Sequence, residues 1–202
     1  MNKVDCVYLT ENSNCLITPN PSYSQILQDL ISNLNNLNDP KIQAQLSGEI
    51  QVLYSLAQAE TDPAAADFVK AVDQLYSDAG QYPFDPNKAK ADIQALEKTA
   101  APSNPPIPPF EFYKSAMYAF VLDKLLPLIE QTPIPTSAEY FSEIEGMISA
   151  LNDFGSTMGT NVSGDFICIQ NELSAFEQLP NPTTQMNLIT DLVNLARDLT
   201  AS

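Results

Sequence analysis

Apolar residues recur along most of this chain at steps of three and four, the period of a helix with one buried face. Tyr23, Ile26, Leu27, Leu30, Ile31, Leu34 and Leu37 form the first stripe. A second, over about 41–60, sets Ile42, Leu46, Ile50, Leu53 and Leu56 to one side. Phe68, Val69, Val72, Leu75 and Tyr76 mark a third helix over about 63–78, and Ile93 and Leu96 mark a weaker fourth over about 86–100. The period resumes with Tyr140, Phe141, Ile144, Met147, Ile148 and Leu151 to about residue 153. Two further helices follow, one through Phe166, Ile167, Ile169, Leu173 and Phe176, the last through Met186, Ile189, Leu192, Val193, Ala196 and Leu199.

One segment departs from this one-faced pattern. Residues 110–130, FEFYKSAMYAFVLDKLLPLIE, place Phe110, Tyr113, Met117, Phe120 and Val121 on one stripe and Phe112, Ala116, Ala119, Leu122 and Leu126 on the next. A helix apolar nearly all round belongs inside a bundle or a membrane. The charges Glu111, Lys114, Asp123 and Lys124 interrupt it, and no window reaches the roughly 18 to 20 apolar residues of a membrane span. The predicted fold is therefore all-α: about eight amphipathic helices in an up-and-down bundle around a central apolar helix at 110–130. Val4 to Thr18 lack helical period and read as a short N-terminal extended arm or hairpin.

Helix starts are well signposted. Asp39-Pro40, Asp62-Pro63 and Asp85-Pro86 each set a capping acceptor before a proline suited to the first helical position, at a constant interval of 23 residues. The first two lead into LYSLA at 53–57 and LYSDA at 75–79, an echo that hints at a duplicated unit. Thr136-Ser137-Ala138-Glu139 matches a capping box, and Pro127 is expected to kink the central helix near its end. Residues 101–109 contain five prolines and read as a stiff crossover. The chain is expected to be a single domain, 1–202, with 1–100 and 110–202 as candidate subdomains on either side of that crossover. GSTMGTNVSG, residues 155–164, is expected to be the most flexible stretch.

Composition narrows the function. The net charge of -16 comes from 9 basic residues against 25 acidic ones, which disfavours nucleic acid and anionic membranes as partners. The chain has no histidine, which removes Ser-His-Asp and Cys-His nucleophile systems and histidine-ligated metals. No phosphate-cradling or nucleotide-binding glycine motif is present. Glu139, Glu143 and Glu145 crowd one helix, but no tryptophan platform accompanies them as in a sugar-cleaving cleft, and they read as a solvated acidic face. Of the three cysteines, Cys6 and Cys15 are candidates for a local disulfide, and Cys168, among Phe166, Ile167 and Ile169, is expected to be a buried structural thiol. No catalytic residue, metal ligand or cofactor is expected. The N-terminus carries no apolar run of a secretory signal, so a cytoplasmic location or export by a non-classical route is expected.

These exclusions leave a non-enzymatic helical-bundle protein that binds another protein. Two competing readings are a membrane-active, toxin-like protein that inserts its central hairpin, and a carrier of a small apolar ligand. The carrier's candidate pocket is Phe112, Tyr113, Met117 and Phe120; Asp123 and Lys124 must reach the rim, pair with another helix or face a cavity.

Overall fold

A computed structural model of the chain describes residues 23–99, 110–155, 158 and 160–200. They form eight helical rods and no strand. These are α1 (Ser24–Ser32), α2 (Pro40–Ala57), α3 (Ala66–Ala79, entered through a 3-10 turn at Pro63–Ala65) and α4 (Pro86–Leu96). The fifth rod is α5 (Phe110–Phe120), continued by a π-turn (Val121–Leu125) into α6 (Leu126–Ile129). Then come α7 (Ala138–Gly155), α8 (Thr160–Gln178) and α9 (Pro182–Thr200). The N-terminal arm, the proline crossover at 101–109, Cys6 and Cys15 lie outside the described residues.

The three Asp-Pro starts are used identically. Asp39 accepts from the Lys41 amide, Asp62 from Ala64 and Asp85 from Asn87, each at 2.9 Å. Local chemistry decides them: the aspartate answers an amide the helix cannot, and the proline removes another. At α7 the cap sits one residue later than expected, with Ser137 Oγ accepting from the Tyr140 amide at 3.2 Å. The 155–164 stretch is also shorter as a loop than expected, because α8 begins at Thr160, with buried Val162 as an anchor in its first turn.

The bundle is all-α as expected, but its most enclosed helix is α2 rather than 110–130. Eleven residues of α2 are buried, including Leu46, Ile50 and Leu53. Its chief partner is α7, and it also meets α3, α5 and α1. The α2–α7 crossing is set by two glycines. A β-carbon at Gly48 would come within 2.8 Å of the Met147 amide nitrogen and closer still to the Glu143 carbonyl. One at Gly146 would collide with the Gln45 carbonyl. Neither neighbour can move without moving a helix, so only glycine permits this approach.

The 110–129 rod buries one face, through Tyr113, Met117, Phe120, Val121, Leu125 and Ile129. Phe112 is 53% exposed, and Asp123, Lys124 and Pro127 face solvent. The rod packs on α9 and α2 and encloses neither. Its second apolar stripe is mostly not core: Phe112 and Ala119 are exposed, Ala116 and Leu122 are half covered, and Leu126 is buried. No helix among the described residues is long and apolar enough to cross a membrane.

Candidate functional site

The site begins with Pro127. Having no N–H, it returns no bond to the carbonyl four residues back. The preceding turn is widened: the Leu126 amide bonds the Val121 carbonyl, five residues back, making the π-turn of residues Val121–Leu125. Single π-turns inside α-helices recur at functional positions. Here the widened turn carries Asp123 and Lys124 to the rim of a cleft of about 240 Å³, with Phe120 and Ala119 on the same wall.

The opposite walls come from α2 and α3. Tyr54 and Tyr76 stack with ring centroids 4.0 Å apart and planes 13° from parallel. Gln51, Ser55 and Gln58 complete the lining. Both glutamines have their amide nitrogens engaged: Gln51 Nε2 donates to Glu143 at 2.9 Å, and Gln58 Nε2 donates to Asp73 at 2.7 Å. Their carbonyl oxygens remain as acceptors. The cleft thus offers an aromatic stack, amide acceptors and a rim carboxylate, with Lys124 beside it and the carboxylates of Asp73 and Glu143 behind.

Of the four residues expected to line an apolar pocket, Phe120 alone lines this cleft. Tyr113 and Met117 are fully buried. Tyr113 packs against Phe154 at 5.0 Å, and Met117 lies against Gly155, whose absent side chain makes room for it. Phe112 points outward. Tyr54, Tyr76 and the polar residues Gln51, Ser55 and Gln58 carry no site motif in the sequence. Their one signal in the sequence is the LYSLA and LYSDA echo, which places the two tyrosines at matching points of successive helices.

A second groove, about 330 Å³, runs between α2, α7 and α8. It is polar, lined by Gln45, Glu145, Ser149, Gln170, Ser174 and Glu177 beside Phe141 and Leu173. Burial raises the Glu145 carboxyl above its usual range, and Glu177 adds to the effect.

Two half-buried carboxyls elsewhere, Glu60 and Glu143, take uncharged donors. Glu60 accepts from Tyr23 Oη at 2.8 Å and from Tyr113 Oη, tying the start of α1 and the body of α5 to the end of α2. Burial still raises Glu60, against the pull of both tyrosines. Glu143 is likewise raised by burial and partly steadied by Gln51. Asp165, 5% exposed in α8, is pushed up to about 6 by burial, with Asp198 adding and Arg197 opposing. Between described residues the ion pairs are Lys88–Asp78 at 3.6 Å and Arg197–Asp198 at 3.1 Å. Of the acidic face expected at Glu139, Glu143 and Glu145, the first two are half-buried and Glu145 is exposed.

Cys168 departs from expectation. It is half-buried between exposed Ile167 and buried Ile169, and it is disulfide-bonded rather than a buried thiol. Comparison with family models, curated proteins and solved structures finds no match to this chain.

Proposed function

We propose that this is a non-enzymatic, acidic helical-bundle protein that acts by binding another protein, and that the cleft beside the π-turn receives a lysine or arginine side chain from a basic segment of that partner. The observation carrying this reading is the stacked Tyr54–Tyr76 wall beneath a rim carboxylate and two amide acceptors. A cation over an aromatic face gains about 0.5–1 kcal/mol when exposed and about 2 when desolvated, and amide oxygens answer its N–H groups.

Size favours a side chain over a free ligand. Ligand pockets usually measure about 300 to 1,000 Å³, and this cleft holds about 240 Å³. Charge favours a basic partner: a net -16 speeds encounter with a cationic surface and repels an acidic one. Lys124 tempers the field at the rim, so the aromatic wall sets the choice of side chain. The disulfide at Cys168 supports an oxidising compartment as the setting.

Titration calorimetry tests the proposal with a Lys- and Arg-rich peptide against an Asp- and Glu-rich peptide of equal length. Binding of the basic peptide alone, weakening from 50 to 300 mM salt and on Tyr76→Ala, is expected. Equal binding of both peptides, or of neither, overturns it.

A further inference from the structure

The junction of α1, α2 and α7 holds three carboxyls that the binding site does not use. Glu49, in the middle of α2, is 2% exposed, and its Oε2 has no hydrogen-bond partner. Its other oxygen accepts from Gln45 Nε2 at 3.0 Å. The charges that act on it are all acidic: Asp29 from α1, and Asp153 and Glu145 from α7. Asp153 in turn lies within hydrogen-bonding reach of Asp29. Asp29 also accepts from Gln25 Nε2 at 3.0 Å, a neutral donor on its own helix. The described residues hold no cluster arranged to bind a metal ion. Among the described residues neither an ammonium nor a guanidinium acts on Glu49, and a proton is the neutraliser this geometry favours.

The helix these groups secure is a short one. α1 has nine residues and anchors through Ile26 and Leu30. Against α4 its seat is loose: a gap of about 90 Å³ separates Leu27, Leu30 and Ile31 from Ile93 and Leu96, with Glu97 at the edge. On its other side α1 meets α7 and α2, where the three carboxyls converge.

We infer that α1 is held by a proton-dependent latch: the carboxyls of Glu49 and Asp153, which face Asp29 of α1, let it dock on α2 and α7 while they are protonated, and release it when they ionise. Burial pushes Glu49 up to about 8 and Asp153 up to about 6, and Asp29 adds to both. A raised carboxyl binds its proton more tightly in the docked state. The latch is therefore complete below the ordinary carboxyl range and weakens as pH rises, through about 6 for Asp153 and about 8 for Glu49. Release uncovers Ile93 and Leu96 on α4, an apolar strip that the closed form hides.

Hydrogen exchange of the full chain between pH 5 and 8, corrected for intrinsic rates, reads the latch directly. Linkage allows the opening constant to rise up to about tenfold per pH unit in the titrating range. The expected result is at least a tenfold rise for α1 amides between pH 5 and 8, with a clearly smaller change in α3. Glu49→Gln, isosteric and unable to ionise, should flatten that rise. Asp153→Asn should remove its lower-pH part, and it carries the test alone if the Gln variant does not fold. Unchanged α1 protection from pH 5 to 8, an equal loss in every helix, or a rise that persists in full in the variants overturns the inference.

Discussion

The two faces of α2 are built on opposite principles. Toward α7 the residues are small, Gly48 on one side and Gly146 on the other, and the backbones meet. Toward α3 and α5 the residues are large and flat, and the stacked pair Tyr54–Tyr76 holds the helices far enough apart to leave a cleft. The tight side of α2 also contains a carboxyl with an unanswered oxygen. The open face has its amides committed and its acceptors presented. One helix therefore supplies both the structural seam of the bundle and the wall of its candidate site, and perturbing one face should leave the other nearly intact.

Substitutions can break this contrast, the largest effect first. Gly146→Ala places a β-carbon against the Gln45 backbone, which no side-chain rotation relieves. A loss of about 3 kcal/mol is expected in urea unfolding, the upper part of the overpacking range. Gly48→Ala should behave alike, and a loss below about 0.5 kcal/mol in both would mean that the seam is not glycine-limited.

Next comes Glu49→Gln, whose effect should change with pH. The raised carboxyl contributes its stability below about pH 4.5 and loses it as pH rises through about 8. The variant should thus be more stable than the parent chain at pH 8, and nearly equal to it at pH 4. A gain that is flat with pH would assign the effect to packing.

The open face should respond mainly in binding. Tyr76→Ala is expected to lower affinity for a Lys- and Arg-rich peptide about fivefold, equivalent to about 1 kcal/mol of lost cation–π and stacking energy. Its cost in stability should be of the same order, read by thermal melting. Smaller again, Asp123→Asn should weaken that peptide about twofold at low salt and hardly at all at high salt, because the carboxylate is solvent-exposed. Equal effects at both salt concentrations would place Asp123 in direct, desolvated contact.

The helix starts were readable in the sequence because they depend on neighbours two residues away: Asp39, Asp62 and Asp85 need only their own amides. The inner stripes were readable for a similar reason, since a period of three to four already states which face is covered. Which helix would be most enclosed was not. Residues 110–130 have more apolar residues than α2, but burial depends on how close a partner can come, and Gly48 and Gly146 act only as a pair 98 positions apart in sequence. The cleft was half legible. Pro127 and the charges before it signalled an irregular helix, whereas the tyrosine stack required α2 and α3 to be placed side by side. Cys168 was misread because its apolar neighbours in sequence lie partly on another face of α8.

The π-turn can also be regarded as a matter of chain length. Such a turn holds one residue more than an α-helical register requires. The fifth rod therefore stores a spare residue between Val121 and Leu125, and the segments on either side of it keep their buried faces, Tyr113 and Met117 before and Leu126 and Ile129 after. A one-residue deletion there would draw the rod straight and pull Asp123 and Lys124 from the rim, with the core face on both sides kept in phase. Most helices pay for a lost residue with a rotation of roughly 100° of everything downstream. This rod has its slack built in, at the one place where it borders the cleft, so the site could be remodelled by an indel that the rest of the bundle would scarcely register.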